Sequence, residues 1–542
     1  MKLKTSLTIL FAFILFVEGY AQTPDLSAGV DKVFAWSKPG DPGCAVAASQ
    51  GGKLVINKTY GSADLERDTP ITASTVFDAG SIRKQFVAAA ILLLAEEGKL
   101  ALTDDVRKHI PELPDYGHKI TIDHLLTHTS GIRDWQPLLN LAGGDPTAMS
   151  MILRQRELNF KPGDEWSYSN SGYVLLPEIV TRVSGTPFAQ FVQKRVLEPA
   201  GMKSSSYVDD PRSLVKARAL GYSKDKDKWK WDMYLGNERG GAGALFTTPV
   251  DLVAWNDALR SNKLGATITN KLQEPAVLNN GRKLTYARGK QVEPFRKGGV
   301  LVWHSGGAGG YSAREAYLPQ QGVSVAITCN GDGLASDTGR IFDLLMPGTY
   351  NETPPPTNPN NLTLGDLRPK AGLFFDEKTG QPLRIGANPN GLMIAGGGPL
   401  VALAPDTFKN MRTSPFFMSE ADVELKFLSA DRIEVKTKEG EVSHYRRAAA
   451  WTPTADDLKA LAGTYRSDEL LATFDATPTK DGLKVQANNA NIIEFKPAEK
   501  DTFQIGQSLL RFNRDSAGKV TGLVYSNPLL RAVKFARAET RP

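Results

Sequence analysis

From Phe77 to Gly98 the chain reads FDAGSIRKQFVAAAILLLAEEG, and after its polar first turn the segment is apolar on every face. Such a pattern predicts a helix buried on most sides. Upstream, GCAVAASQGGKLVINKTYG (43–61) alternates loosely about Gly51-Gly52 and predicts a hairpin. Residues 100–260 read as mainly helical, with Pro- and Gly-marked turns at PELPDYG, KPGDEW and LEPAGM. TPVDLVAWNDALRSNKLG (248–265) opens with Thr248 as a cap and Pro249 at the first helical position. From Gly299 onward, VLVWHS, SAREAYLP and GVSVAITCN read as three strands separated by Gly-rich turns. A hairpin, a helical middle and returning strands suggest one sheet assembled from both ends of a domain and covered by helices, an α/β (α+β) fold.

At 542 residues the chain is too long for one ordinary core. PGTYNETPPPTNPNNLT (347–363) is a linker by composition. Beyond it lie short strand-like pieces with a faint repeat: DLRPKAGLFFDEKTGQPLRI from Asp366 resembles DLKALAGTYRSDELLATFDA from Asp457, 91 positions later. Each copy then carries DTF, at Asp406 and Asp501, and closes on an Arg-Ala stretch. Two similar antiparallel β-barrels, 364–451 and 452–542, are the economical reading; one continuous β-sandwich is the rival. At the other end, Lys2 and Lys4 precede an apolar run from Leu7 to Val17, and Gly19-Tyr20-Ala21 offers small residues for cleavage. Residues 1–21 read as a signal peptide, with cleavage near Ala21/Gln22, a periplasmic or secreted product and a first domain over 22–346. The run is shorter than a membrane span needs, so no stable membrane insertion is expected.

The formal charge is +6, and a mild excess spread over the whole chain argues against nucleic acid as a partner. SKDKDKWKW (223–231) is the most basic spot and reads as a solvated loop. Cys44 and Cys329 are the only cysteines, which leaves either one bond or two buried thiols open. Composition is silent on oligomeric state.

The candidate chemistry sits at the start of the apolar helix. Ser81 and Lys84 are three residues apart and share a helix face, so the amine can reach the hydroxyl. WSYSNSGYVLL (166–176) puts Tyr168 and Asn170 in a turn ahead of a helix, and VWHSGGAGGYS (302–312) ends a strand with His304 and a glycine cluster that permits close backbone approach. A serine hydroxyl is a poor nucleophile until something takes its proton. A lysine and a tyrosine beside it would titrate as a coupled pair, so which is the formal base is not readable from the residues.

With LLTHTSGI (125–132), these motifs resemble the serine β-lactamase and penicillin-binding-protein superfamily, in its class C-like branch of D-aminopeptidases, D,D-carboxypeptidases and esterases. The resemblance covers residues 30–345 and implies Ser81 as nucleophile, Lys84 and Tyr168 as the proton-handling pair, and Asn170 as a partner of substrate or lysine. It also puts His304, followed by Gly306, where most β-lactamases carry lysine, and makes the amides of Ser81 and Gly307 the oxyanion hole. In this fold class the first and last strands lie side by side, which favours a Cys44–Cys329 pairing. Two barrels after an H-x-G catalytic domain resemble the D-aminopeptidase architecture.

Other features read as structural. His124 and His128 have metal-ligand spacing on a helix, but no third ligand is evident, so packing is preferred to zinc and no metal is expected. Glycines 306–310 lead from strand to strand, which fails the context of a dinucleotide fingerprint. GGAGALFTTPVDL from Gly240 reads as a cleft wall, and Arg83 as solvent-side and incidental. A histidine at 304 is mostly neutral near neutral pH, which weakens a β-lactamase reading. The expectation is a cofactor-free serine hydrolase of small-molecule or short-peptide amides, D-aminopeptidase-like. A carboxylesterase or low-activity D,D-carboxypeptidase of the same mechanism is next, and a cell-wall-binding or polymer-binding scaffold is the non-enzymatic rival.

Overall fold

The computed structural model describes residues 26–538 apart from 211–212, 233–242, 296–297, 336–337, 349–359, 396–397, 411–422, 438–441 and 489–491. The expected signal peptide and most of the expected linker lie outside the described residues. A six-stranded antiparallel sheet forms the first domain's backbone, in the order Gln291–Pro294, Val300–Ala308, Tyr311–Leu318, Val323–Cys329, Cys44–Gln50, Lys53–Tyr60. The N-terminal hairpin thus closes on the returning strands. Cys44 lies opposite Cys329 in that pairing, and their sulfurs are bonded. The edge strand Gln291–Pro294, too short and polar to show alternation, is absent from the sequence reading.

The apolar segment forms the helix Lys84–Glu96, in which every residue from Lys84 to Leu94 is buried. It starts later than the pattern predicts: Phe77–Asp78 is a short strand and Gly80–Arg83 a 3₁₀ turn. Tertiary contact explains the delay. Ala79 N–H donates to the Leu245 carbonyl at 2.9 Å, and Gly80, at φ +52°, lies so close to the sheet that a Cβ there would fall 2.5 Å from Gly307 N. Only glycine meets both conditions. The helix Pro249–Arg260 is capped by the Thr248 side chain, which accepts from Asp251 N–H, as the sequence predicts.

Beneath the helix start, Lys290 donates to Glu315 Oε1 at 3.0 Å, with both side chains fully buried. Gln85 Nε2 donates to the same carboxylate (3.0 Å), as does Asn256 Nδ2 (2.8 Å), while Trp255 Nε1 donates to Gln85 Oε1. One carboxylate therefore ties the sheet to the helices Lys84–Glu96 and Pro249–Arg260.

The tail forms two closed eight-stranded barrels, from Gly372–Asp376 to Val442–Arg447 and from Gly463–Ser467 to Leu530–Arg537. The repeat is visible in detail. Thr363 and Asp366 form a capping box before the first barrel, and Thr454 and Asp457 form its counterpart before the second. Closure, rather than a sandwich, lets each strand find two neighbours and removes the edges. SKDKDKWKW is a two-stranded hairpin rather than a loop, with Lys224 over the Trp229 ring. Among the described residues no helix is long and apolar enough to cross a membrane.

Candidate active site

Ser81 sits in the 3₁₀ turn, where Lys84, one turn on, opens the buried helix. Lys84 Nζ lies 2.9 Å from Ser81 Oγ and 2.9 Å from Asn170 Oδ1, and the Tyr168 hydroxyl donates to Ser81 Oγ at 2.8 Å. Two sequence motifs thus meet on one oxygen. Burial holds the Lys84 ammonium well below the usual lysine range; the Arg83 cation adds to the shift and the Asp134 carboxylate opposes it. Burial raises the Tyr168 phenol, against the pull of its bond to Ser81 and of the Arg83 charge. Both directions favour the uncharged pair, a free amine beside a protonated phenol. Arg83 is therefore not incidental: it is half-buried, and its charge reaches both members of that pair.

Asn170 is oriented from behind. Asp134 Oδ2 accepts from the Asn170 N–H (3.0 Å) and Nδ2 (2.9 Å), and Gln136 Oε1 accepts from Nδ2 as well (2.9 Å), which turns the amide oxygen toward Lys84. Burial raises the Asp134 carboxyl, and the Asn170 and Gln136 N–H groups and the Lys84 cation pull it back. Neither Asp134 nor Gln136 figured in the sequence reading. Asp134 also caps the helix Trp135–Leu139 by accepting from Gln136 N–H, and that capping position was the one signal available.

His304 lies on the strand Val300–Ala308, buried, and its environment dictates its tautomer. Ser169 N–H donates to His128 Nδ1 (3.2 Å), so the His128 proton is on Nε2, facing Tyr286 Oη at 3.1 Å. At the far end His304 Nδ1 faces the Ser305 carbonyl at 2.6 Å and must carry a proton, leaving Nε2 to accept from the Tyr286 hydroxyl at 3.2 Å. The chain is complete with both imidazoles neutral. Burial is the main cause that pulls His304 down to about 3, helped by the Lys84 cation, and it lowers His128 well below the usual histidine range. His128 holds this place with a left-handed backbone, φ 60°. His124 is used locally, as part of the capping box with Thr121. Tyr286, the hub of the chain, was missed because it stands alone in an irregular stretch.

The strand presses on the turn that holds Ser81. A Cβ on Gly306 would lie 1.9 Å from the Ala79 carbonyl oxygen and 3.2 Å from Ser81 N, so Gly306 permits the contact that brings Gly307 beside Gly80.

Comparison with known proteins gives the family. The β-lactamase family model matches residues 35–350. Penicillin-binding protein 4* of Bacillus subtilis (strain 168) is 30% identical over 49% of this chain, a match spanning 63% of that relative. The D-aminopeptidase of Brucella anthropi is 24% identical over 92% of this chain and 96% of its own length. Among solved structures, an octameric penicillin-binding protein homologue from Pyrococcus abyssi shares the fold, with a TM-score of 0.53 at 24% identity over 78% of this chain and 99% of its own. The family match spans more than half of the sequence: the chain belongs to the β-lactamase family and is a serine hydrolase with penicillin-binding-protein and D-aminopeptidase relatives.

Proposed function

We propose that the protein hydrolyses small amides and short peptides, D-aminopeptidase-like, through an acyl-Ser81 intermediate. The observation that carries this is the convergence of Lys84 Nζ and the Tyr168 hydroxyl within 2.9 and 2.8 Å of Ser81 Oγ. As Oγ attacks the carbonyl carbon, the Lys84 amine takes its proton, and the oxyanion is received by the N–H groups of Ser81 and Gly307. Lys84 returns the proton through the Tyr168 hydroxyl to the leaving nitrogen, and the C–N bond breaks. Water then attacks the acyl carbon, its proton passing to the same pair, and Ser81 is restored. Each oxyanion donor contributes about 3 kcal/mol.

His304 shapes the choice of substrate. A neutral imidazole with both nitrogens engaged offers no cation to a substrate carboxylate, so β-lactams and peptide carboxyl termini lose that attraction. Similarity to a D-aminopeptidase over the catalytic domain and both barrels supports the amide reading. Cys44–Cys329 fits an oxidising compartment and a periplasmic or secreted enzyme. The test is covalent labelling of Ser81 by a fluorophosphonate, with Ser81→Ala as control, followed by D-amino acid p-nitroanilides, short acyl esters and nitrocefin. Anilide turnover is expected to lead; ester turnover alone reassigns the enzyme as a carboxylesterase, and an unlabelled Ser81 rejects the mechanism.

A further inference from the structure

The second barrel grips both segments that deliver the catalytic groups. Arg133 is almost wholly buried; its Nη1 donates to Glu469 Oε1 at 2.8 Å and its Nη2 to the Arg531 carbonyl at 3.0 Å. The Arg133 backbone is clamped within the catalytic domain. Its N–H donates to Gln155 Oε1 (3.0 Å), and its carbonyl accepts from Gln155 Nε2 (2.9 Å) and Ser171 Oγ (2.7 Å). The next residue is Asp134, which orients Asn170.

The second segment leads to Tyr168. Asn159 Nδ2 donates to the Leu529 carbonyl (2.8 Å) and Asn159 Oδ1 accepts from Arg531 N–H (2.9 Å), a two-point grip on one barrel turn. From that turn Arg531 Nη2 donates to Glu165 Oε2 at 2.9 Å, three residues before Tyr168. The other barrel turn meets Gly143, whose N–H donates to the Leu470 carbonyl at 3.1 Å; a Cβ there would fall 2.1 Å from the Leu471 oxygen. Leu471 and Ala532, one at each gripping turn, hold left-handed backbones at φ 50°. Non-glycine residues adopt that conformation where surrounding contacts over-determine it.

We propose that the second barrel is a positioning element of the active site. Glu469, through Arg133, fixes the Asp134 carboxylate that orients Asn170; Arg531, through Asn159 and Glu165, fixes the loop that presents Tyr168. The inference rests on the acyl-Ser81 reading. Neither barrel residue touches the reacting atoms, yet a displacement of about 1 Å at the catalytic groups can cost about 100-fold in rate.

The test uses the full chain with Glu469→Gln, which keeps volume and a hydrogen-bond acceptor while removing the charge, and Arg531→Met, which keeps the main-chain contacts to Asn159 and Arg133. Each is expected to lower kcat on a D-amino acid p-nitroanilide, and the fluorophosphonate labelling rate of Ser81, by about tenfold. KM is expected to stay within about twofold, and Arg531→Lys, which keeps a cation for Glu165, to recover most of the loss. Arg446→Gln, which removes the ion pair with Glu499 between the barrels, serves as a control with rates unchanged. Wild-type labelling rates in both variants, or a loss confined to KM, overturn the inference. If Glu469→Gln fails to fold, Arg531→Met decides alone, since its side chain is partly exposed. No labelling of wild-type Ser81 rejects the acyl-Ser81 reading and this inference together; equal labelling in all variants rejects this inference only.

Discussion

Two fully buried lysines flank the start of the central helix, and they are opposites. Lys290 has Glu315 at 3.0 Å, and that carboxylate accepts further bonds from Gln85 and Asn256. Lys84, next to Gln85 in the chain, meets Ser81 and Asn170, and among the described residues no carboxylate lies within ion-pair distance of it. Burial lowers both; for Lys290 the Glu315 charge answers it, whereas Lys84 feels Asp134 only from behind Asn170 and has the Arg83 cation against it. A buried amine with its own counter-ion is a scaffold part. One that faces only neutral acceptors holds its proton weakly, which is what the proposed base requires.

The largest expected effect separates the two. Lys84→Ala should slow Ser81 acylation by at least about 100-fold, the lower end of what general-base assistance supplies, with the fold intact by circular dichroism. Lys290→Met in an otherwise native chain should act the other way, through stability. Equal rate losses per folded molecule from the two substitutions would erase the distinction.

Next in size is Glu315→Gln, which leaves the Lys290 ammonium buried without a counter-charge. Breaking a buried pair from one side costs about 3–5 kcal/mol, to be read from the urea midpoint. The Lys290→Met/Glu315→Leu double variant should be milder than Glu315→Gln, since no charge remains buried. A double variant as damaging as the single would show that the network acts through packing rather than charge.

How much of this was legible in the sequence follows from how each residue is specified. Ser81, Lys84, Tyr168 and Asn170 stand in short motifs at element boundaries, where local composition carries the signal; His304, expected to end its strand, lies in the middle of Val300–Ala308, because the strand runs on through the glycines that follow it. Their convergence is visible only in the fold. Glu315 is one of two adjacent charges in the strand Tyr311–Leu318, and its partner Lys290 follows a glycine in an irregular stretch, so no spacing connects them. Asp134 and Tyr286 have the same difficulty. Each works through a contact more than a dozen residues away in sequence, and pattern reading is blind to such pairs. The late start of the helix had a tertiary cause, the pressure of Gly307 on Gly80, that hydropathy does not encode. The Glu469–Arg133 bond joins positions 336 residues apart, and only the docking of a whole domain brings them together.

A smaller effect tests the third kind of buried base, the imidazole. Tyr286→Phe removes the hydroxyl that closes the chain between His128 and His304 and leaves one nitrogen of each ring without its partner. A buried polar group left unpaired costs about 1–3 kcal/mol, so the variant should unfold at lower urea. Its imidazole ¹⁵N shifts should report loss of the single tautomer at both rings; unchanged shifts and stability would mean that the hydroxyl does not order them.

The smallest effect, per unit of pH, is acid sensitivity. Burial pulls the folded His304 down to about 3 from the ordinary imidazole pKa of about 6.5, so between these limits the unfolded chain binds a proton that the folded chain does not. Stability is then full above pH 6.5 and falls as the pH drops toward 3, by at most about 1.4 kcal/mol per pH unit for this one group. The sign is opposite to that of a histidine gaining a carboxylate partner, which would stabilise on acidification. His304→Gln, which cannot be protonated in this range, should flatten the dependence of the urea midpoint on pH between 7 and 5, while His128 continues to contribute its own slope in the same direction. A steeper dependence in that variant would mean that the imidazole is charged in the fold. The site would then hold a cation where the neutral-imidazole argument for amide over carboxylate substrates requires none.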